Sequence, residues 1–390
     1  MKKCVVLLFC LLMLSGCNRN VDVLDDEKFS DTESVIIKTD NSEEQSNDYY
    51  SFFGPTDSQV WFQYPGIAYI DGIYYYWGTY EDGSVPLLMS WDPSTDLVYP
   101  VCDKADCGHK TEDCNAWFNG LDNTFSHDFI MAYDGDLFTM CYDKEGIVSL
   151  IRVNPDGSGY EKYIDLYQAD IKDPSEGYDS FWVQPELIIH RGFIYYIIPN
   201  TSESCLRKVN CDTGEEVVIY FNQADDPITY RIKAYGNDIY FQSGGFTDKT
   251  HESVDGAIWK YDTENDKVSV VKEGVVAGYS ITEGKMIYAT QKEIHFFSIS
   301  SEVDYIMSNP GHRIDVGAFG KVFYTYDSVK KELAIYSLDG ELKKTIPAFR
   351  DFSLFYMGDD NYIFANDGNF CRMAINDPST GWQEIKKGDR

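Results

Sequence analysis

From about residue 58 onward, short stretches of alternating apolar and polar residues recur along the chain at a nearly constant spacing, each opened by a polar turn. The unit is a turn containing Gly, Asp or Asn followed by an aromatic-rich stretch. It reads Asp71-Gly72-Ile73-Tyr74-Tyr75, Asp134-Gly135-Asp136-Leu137-Phe138, Gly192-Phe193-Ile194-Tyr195-Tyr196 and Gly236-Asn237-Asp238-Ile239-Tyr240-Phe241. It returns as Gly284-Lys285-Met286-Ile287-Tyr288, Gly320-Lys321-Val322-Phe323-Tyr324 and Asp360-Asn361-Tyr362-Ile363-Phe364. A period of two marks half-buried strands, because successive side chains point to opposite faces of a sheet. Between Gly72 and Asp360 lie 288 residues in six intervals, a mean of 48, which is the length of one propeller blade.

An apolar run precedes each unit, as at residues 186–190 and 314–319, and a second hairpin follows it. Its turns are Asp92-Pro93-Ser94-Thr95, Asn154-Pro155-Asp156-Gly157, Asp212-Thr213-Gly214, residues 262–265 and Leu338-Asp339-Gly340. Asp, Asn and Gly accept left-handed backbone angles and Pro presets the first turn dihedral, so these are hairpin connections. Four strands per unit follow. A four-stranded meander cannot cover both of its own faces, whereas several packed radially can. The 30 Tyr, 23 Phe and 7 Trp supply the flanks for that packing. The expected fold is therefore all-β: a β-propeller of four-stranded antiparallel blades, seven in number. Six or eight are the alternatives, because residues 58–63 read either as a lead-in strand or as the closing strand of the last blade, whose own outer strand is 383–385. A pair of β-sandwiches, the rival fold, does not give seven units at one period.

The N-terminus is a different material. Lys2 and Lys3 precede an apolar run over residues 5–14, too short for a permanent membrane span but right for a secretion signal. Leu14-Ser15-Gly16-Cys17 follows and resembles the bacterial lipoprotein signal, whose pattern is Leu-(Ala/Ser)-(Gly/Ala)-Cys. The resemblance implies cleavage before Cys17 and acylation of that residue. Two or three acyl chains anchor stably where one is marginal, at about 0.8 kcal/mol per buried methylene. Residues 18–50 carry ten acidic side chains against Arg19, Lys28 and Lys38, and are expected to form a disordered tether. The domain plan is thus a signal peptide over 1–16, an acylated Cys and acidic linker over 17–50, and the propeller over 51–390. Loss of Lys2 and Lys3 on cleavage takes the net charge from −31 to −33. So acidic a chain excludes nucleic acid as a partner, since phosphate contacts need Lys and Arg, and the acidity reads as solubility and self-repulsion.

The repeat domain resembles the propellers of Gram-positive surface lipoproteins and, distantly, the Tyr-Trp-Thr-Asp propellers of receptor ectodomains. The shared features are the aromatic pairs after a Gly-containing turn (Gly72 to Tyr75, Gly192 to Tyr196) and the turn Asn154-Pro155-Asp156-Gly157-Ser158-Gly159. No segment reads Tyr-Trp-Thr-Asp. The resemblance implies a fold and no activity.

One compact cluster carries chemistry. Cys102, Cys107, His109 and Cys114 are spaced C-x4-C-x-H-x4-C, four ligands able to close a tetrahedral shell around a structural zinc ion. A disulfide, Cys102 with Cys107 or Cys107 with Cys114, suits an exported, oxidising address equally, and free thiols are the third alternative. Cys205 and Cys211 fall at the two ends of one strand, too far apart to bridge. Cys141, Cys205 and Cys371 read as core. The cluster lies between an outermost strand near 97–101 and the next inner strand near 129–133, so it should project from one face of the disc. Asp103, Asp106, Trp117 and Phe118, with Lys110, Glu112 and Asp113, would make it a charged, partly aromatic binding knob; the alternative is a staple for a long loop. Two further insertions, 168–179 and 243–255, would flank a recognition surface, with Trp182 and His251 read there as ordinary surface or packing residues.

Gly-x-Ser-x-Gly, His-Glu-x-x-His, Gly-x-Gly-x-x-Gly and phosphate-loop signatures do not occur. The first functional reading is a non-enzymatic binding module, monomeric, lipid-anchored on the outer side of the cell membrane, holding a glycan, peptide or protein on one propeller face. The alternatives are an extracellular enzyme acting on polysaccharide or peptide through paired carboxylates in the central funnel, and a metal or redox role through the Cys-His cluster.

Overall fold

A computed structural model describes residues 66–79, 86–111, 113–118, 123–125, 129–168, 186–198, 204–224, 227–246, 254–275, 278–290, 292–308, 313–327, 330–347, 356–358, 362–366, 370–374 and 381–385. Cys17, the signal, the tether, residues 58–63, Trp182 and His251 lie outside them. Among the described residues no helix is long and apolar enough to cross a membrane.

The chain folds into successive antiparallel sheets. β1 (Ile67–Ile70), β2 (Ile73–Thr79), β3 (Pro86–Asp92) and β4 (Leu97–Pro100) make the first. The second holds β5 (Asn123–Phe125), β6 (Met131–Tyr133), β7 (Asp136–Asp143), β8 (Ile147–Val153) and β9 (Tyr160–Gln168). Next come β10 (Glu186–His190), β11 (Phe193–Ile197), β12 (Cys205–Asn210) and β13 (Glu216–Phe221). The fourth sheet is β14 (Pro227–Tyr235), β15 (Asp238–Phe246), β16 (Val254–Asp262) and β17 (Lys267–Glu273). β18 (Tyr279–Thr282), β19 (Lys285–Ala289), β20 (Glu293–Ser298) and β21 (Asp304–Ser308) form the fifth. The sixth contains β22 (Arg313–Phe319), β23 (Val322–Asp327), β24 (Glu332–Ser337) and β25 (Leu342–Pro347). β26 (Tyr356–Gly358), β27 (Tyr362–Asn366), β28 (Phe370–Ala374) and β29 (Gln383–Glu384) complete the chain.

The turns explain the hairpins. Asp71 and Gly72 have φ of 49° and 92°, the two positive angles that a type I′ connection requires, and they close the register Ile70↔Ile73. The same device recurs at Asp134-Gly135, Arg191-Gly192 and Glu283-Gly284.

The expectation of seven four-stranded blades is corrected. Six sheets are regular four-stranded blades, and the sheet second in chain order has five strands. Its extra strand is a split inner edge: β5 pairs with the far end of β7 (Phe125↔Cys141) and β6 with the near end (Met131↔Phe138). Near that break the Phe129 carbonyl accepts from Trp77 Nε1 at 3.0 Å and Thr139 Oγ1 at 2.9 Å, so side chains take the place of the ladder. The outer strand expected at 383–385 is present, pairing Cys371↔Glu384. The insertion expected over 243–255 is instead a longer hairpin at its base, since β15 and β16 stay in register as far as Phe246↔Val254.

Apolar clusters lie between the sheets and close them into a ring. One joins the first blade to the second sheet through Trp77, Leu88, Ile130 and Cys141, and another joins the second sheet to the third through Met131, Phe138, Leu187 and Tyr196. Further clusters span the third to fifth and the fifth to sixth sheets. The last returns from Tyr324 and Leu333 of the sixth through Phe364 and Met373 to Tyr74, Met89 and Trp91 of the first. The molecule is a β-propeller.

Candidate metal centre

The loop that leaves β4 is held against both the first blade and its neighbour. Val101 N donates to Leu88 O at 2.8 Å, which carries the chain off the blade edge. Its far end is a single 3-10 turn, η1 (Asn115–Trp117), whose Ala116 is fully buried in the cluster containing Met89 and Trp91. Asn115 Nδ2 donates to Asp103 Oδ1 at 2.8 Å and to Gly157 O at 2.7 Å, tying the two ends of the loop to the turn between β8 and β9. Gly157 allows that approach. Its φ is 79°, and a Cβ there would lie 2.6 Å from Cys102 N.

Inside this frame Cys102, Cys107, His109 and Cys114 converge, with one ligand atom from each lying within 4.8 Å of all the others. His109 Nδ1 is 3.3 Å from Cys114 Sγ. A zinc ion bonded to sulfur at 2.3 Å in a tetrahedron separates its ligands by about 3.8 Å, so the spacing suits a closed shell around an ion. His109 and Cys114 are buried, Cys102 and Cys107 half-buried. Three non-glycine residues of the loop, Asp106, His109 and Phe118, have left-handed φ of 62°, 51° and 56°, an accumulation that persists only where surrounding contacts over-determine the backbone.

The electrostatics point the same way. Burial works against a charged Cys102, yet the N–H groups of Lys104 and Asn115 and the thiols of Cys107 and Cys114 outweigh it, and its pKa lies below the ordinary thiol value. Cys114 is pushed up to about 12, by burial above all and then by the crowding of Cys102 and Cys107, although the Ala116 N–H opposes this. On both Cys102 and Cys114 the sulfur accepts an N–H from the residue two further along, Lys104 and Ala116. Such donors orient and stabilise thiolates in metal shells. Three thiolates packed this tightly repel one another unless a cation sits among them.

The four residues expected as ligands are thus brought together, and Cys102, Cys107 and Cys114 are unbridged. The surrounding knob is corrected. Phe118 is 2 % exposed, stacked on Tyr160 at 4.6 Å and edge-on to Trp77 at 5.2 Å, so it is a packing residue between two sheets and offers no binding face. Trp117 is half-buried against the first-blade cluster. Asp103 and Asp106 are exposed, and Asp103 serves as the acceptor for Asn115. The loop is tied to the Gly157 turn through Asn115 and packs on the first-blade cluster through Ala116. Cys141, Cys205 and Cys371 are buried as expected, and Cys205 and Cys211 bracket β12. Sequence reading missed Asn115 and Gly157. The Gly at the end of Asn154-Pro155-Asp156-Gly157 was legible as a turn, but its contact with a loop 42 residues upstream of it from Asn115 was not.

No family model and no curated protein matches the chain. Solved structures do. A prolyl endopeptidase aligns with a TM-score of 0.54 at 10 % identity, over 82 % of this chain and 48 % of its own. Prolyl oligopeptidase B from Galerina marginata aligns at 0.47 and 13 %, over 81 % and 49 %. An oligogalacturonate lyase in complex with manganese aligns at 0.43 and 10 %, over 70 % and 72 %. The chain spans about half the length of the two peptidases. At these identities the likeness is one of fold, and the class the fold defines is the β-propeller.

Proposed function

We propose that the chain is a lipid-anchored recognition module on the outer side of the cell membrane, whose propeller holds a glycan, peptide or protein, and whose Cys102–His109–Cys107–Cys114 tetrad closes on one structural zinc ion. The observation that carries the zinc reading is the convergence of four soft or borderline ligand atoms within 4.8 Å in a loop pinned on both sides. With all four positions filled by protein atoms, the ion would be a staple and not a reagent. It would fix the junction between the first blade and the second sheet, giving a rigid rim from which the propeller's connecting loops are displayed. The anchoring reading rests on Leu14-Ser15-Gly16-Cys17 behind a short apolar run.

Both parts are tested on the full chain in an expressing bacterium. An alkyne-tagged palmitate should label the wild type and not Cys17→Ala, which should retain its signal or shed into the medium. The purified wild type should carry one zinc per chain by elemental analysis, and His109→Ala should lose it. A metal-free protein with a complete disulfide titre among Cys102, Cys107 and Cys114 would reject the staple, and an unlabelled wild type would reject the anchor.

A further inference from the structure

A second group of buried charge lies away from the cysteine loop, on the inner strands of three successive blades. Glu186 opens β10, Arg231 and Lys233 sit on β14, and Tyr279 opens β18. The β14–β15 register breaks between Tyr230 and Lys233, and Arg231 within the break has a φ of 58°, a left-handed angle for an L-residue in mid-strand. The bulge releases two N–H groups from the ladder. Glu186 reaches across the gap between blades to take them, its Oε2 accepting from Arg231 N and from Ile232 N, the latter at 3.3 Å. On the other side Tyr279 Oη donates to Arg231 O at 2.6 Å. The next blade leaves room for the guanidinium: a Cβ on Gly278 would lie 1.7 Å from Arg231 Nη1.

Two polar atoms in this group have no partner. Lys233 is 1 % exposed and its Nζ makes no hydrogen bond; Glu186 is 8 % exposed and its Oε1 makes none. Burial pushes the Lys233 ammonium well down, and only the Glu186 charge opposes it; burial pushes Glu186 up to about 7, opposed by Arg231 and Lys233. A buried orphan donor beside a buried orphan acceptor costs about 1–3 kcal/mol for each, more where the group is charged. Bulges and left-handed residues of this kind collect at binding sites, where a ligand completes the bonding. The Arg231 guanidinium and the Lys233 amine both lie within electrostatic reach of the Glu186 carboxyl. Tyr230 and Arg231, on the bulge itself, are half-buried.

We propose that the β14 bulge is a binding site for a small hydroxycarboxylate, whose carboxylate pairs with Lys233 Nζ and the Arg231 guanidinium while a hydroxyl donates to Glu186 Oε1. The orphan amine of Lys233, which a neighbouring anion would return to its charged form, selects the carboxylate; the orphan acceptor Glu186 Oε1 selects the hydroxyl. This site rests on reading the propeller as a recognition module and names the ligand class that module takes.

Calorimetric titration of the full chain separates the two demands with three probes. Gluconate carries both groups, acetate only the carboxylate, sorbitol only the hydroxyls. Gluconate should bind saturably, acetate about tenfold more weakly, and sorbitol not at all. Lys233→Met, which replaces the amine by an apolar chain of similar length, should abolish gluconate binding, and Glu186→Gln should weaken it about tenfold. Should Lys233→Met fail to fold, the wild type labelled biosynthetically with carbon-13 lysine gives a second readout, in which the Lys233 Cε resonance moves on adding gluconate. Undiminished binding by a folded Lys233→Met would overturn this site while leaving the recognition reading intact. An unmoved Lys233 resonance together with no gluconate or acetate binding would overturn the proposal. Anchoring and zinc content are measured separately, so neither result bears on them.

Discussion

At Asp304, on the outer strand of the fifth blade, burial alone would raise the carboxyl's pKa. Three donors outweigh it: His295 Nδ1 at 3.3 Å from Oδ1, and Lys272 Nζ and Tyr288 Oη each at 2.9 Å from Oδ2. They hold Asp304 down to about 2. A carboxyl whose folded pKa is depressed contributes stability that is fully present above its unfolded value near 3.8 and is lost as pH falls through about 2. The shift corresponds to about 2 kcal/mol, a ceiling because the side chain is 23 % exposed. Asp304→Asn should therefore lower the melting temperature at pH 7 by roughly 2–4 °C and remove part of the acid sensitivity below pH 4, read by circular dichroism. At Gly157 the positive φ and the Cys102 backbone at 2.6 Å from a Cβ position leave no room for a side chain. Gly157→Ala should push the turn off the cysteine loop, costing about 1–3 kcal/mol in urea unfolding and loosening zinc retention against a chelator. Residue-level legibility followed sequence distance. The C-x4-C-x-H-x4-C ligands stand within one loop and could be read directly, whereas Asn115 with Gly157, and Glu186 with Lys233, meet only through packing between sheets.

Among the elements, hairpins were the most readable, because a type I′ connection demands particular residues at particular positions and Asp71-Gly72 supplies them. The outermost strands were harder to read. β13 exposes Val217, Val218 and Phe221, each about half accessible, and Ile306 and Leu342 stand out from β21 and β25, so the alternation that marks a buried face is blurred at the rim. The split inner edge of the second sheet was not legible either, since it depends on Trp77 of the first blade, 52 residues before the carbonyl it holds. The Phe129 carbonyl is thereby fixed by side chains from two sheets. Trp77→Phe leaves it short of one donor in a buried place and should cost about 1–3 kcal/mol in urea unfolding. Hydrogen exchange should show the added mobility confined to β5–β7 and the facing β2. Uniform loosening of the ring would mean that the indole contributes packing alone.

For the whole molecule, the ring must close between its last and first blades, and Arg372 adds to the apolar cluster that spans the seam. Arg372 on β28 lies 4.3 Å over the Trp91 ring and 5.5 Å from that of Tyr362, and pairs with Asp96 at 2.6 Å. Asp96 is 65 % exposed, so the ion pair adds little and the stacking on buried Trp91 carries most of the effect. Arg372→Ala should cost about 1–2 kcal/mol and open amide exchange first in β26–β29 and β1–β4. Most of the whole chain's net charge of −31 falls on the ring and acts there through self-repulsion, which salt screens over about 8 Å at physiological ionic strength. The melting temperature should rise between 10 mM and 0.5 M sodium chloride. All-β class and blade-length periodicity were legible at this scale because each unit repeats the same hydrophobic alternation; the five-stranded second sheet was not, because it is an exception to that repeat. The loop at the first junction brings four ligand atoms together, and X-ray absorption at the zinc edge of the purified chain examines it directly. Three sulfur ligands near 2.3 Å and one nitrogen near 2.0 Å around a single ion are expected, values usual for a closed Cys3His shell. A shell of oxygen and nitrogen without sulfur, or a chain with no zinc to absorb, would contradict it.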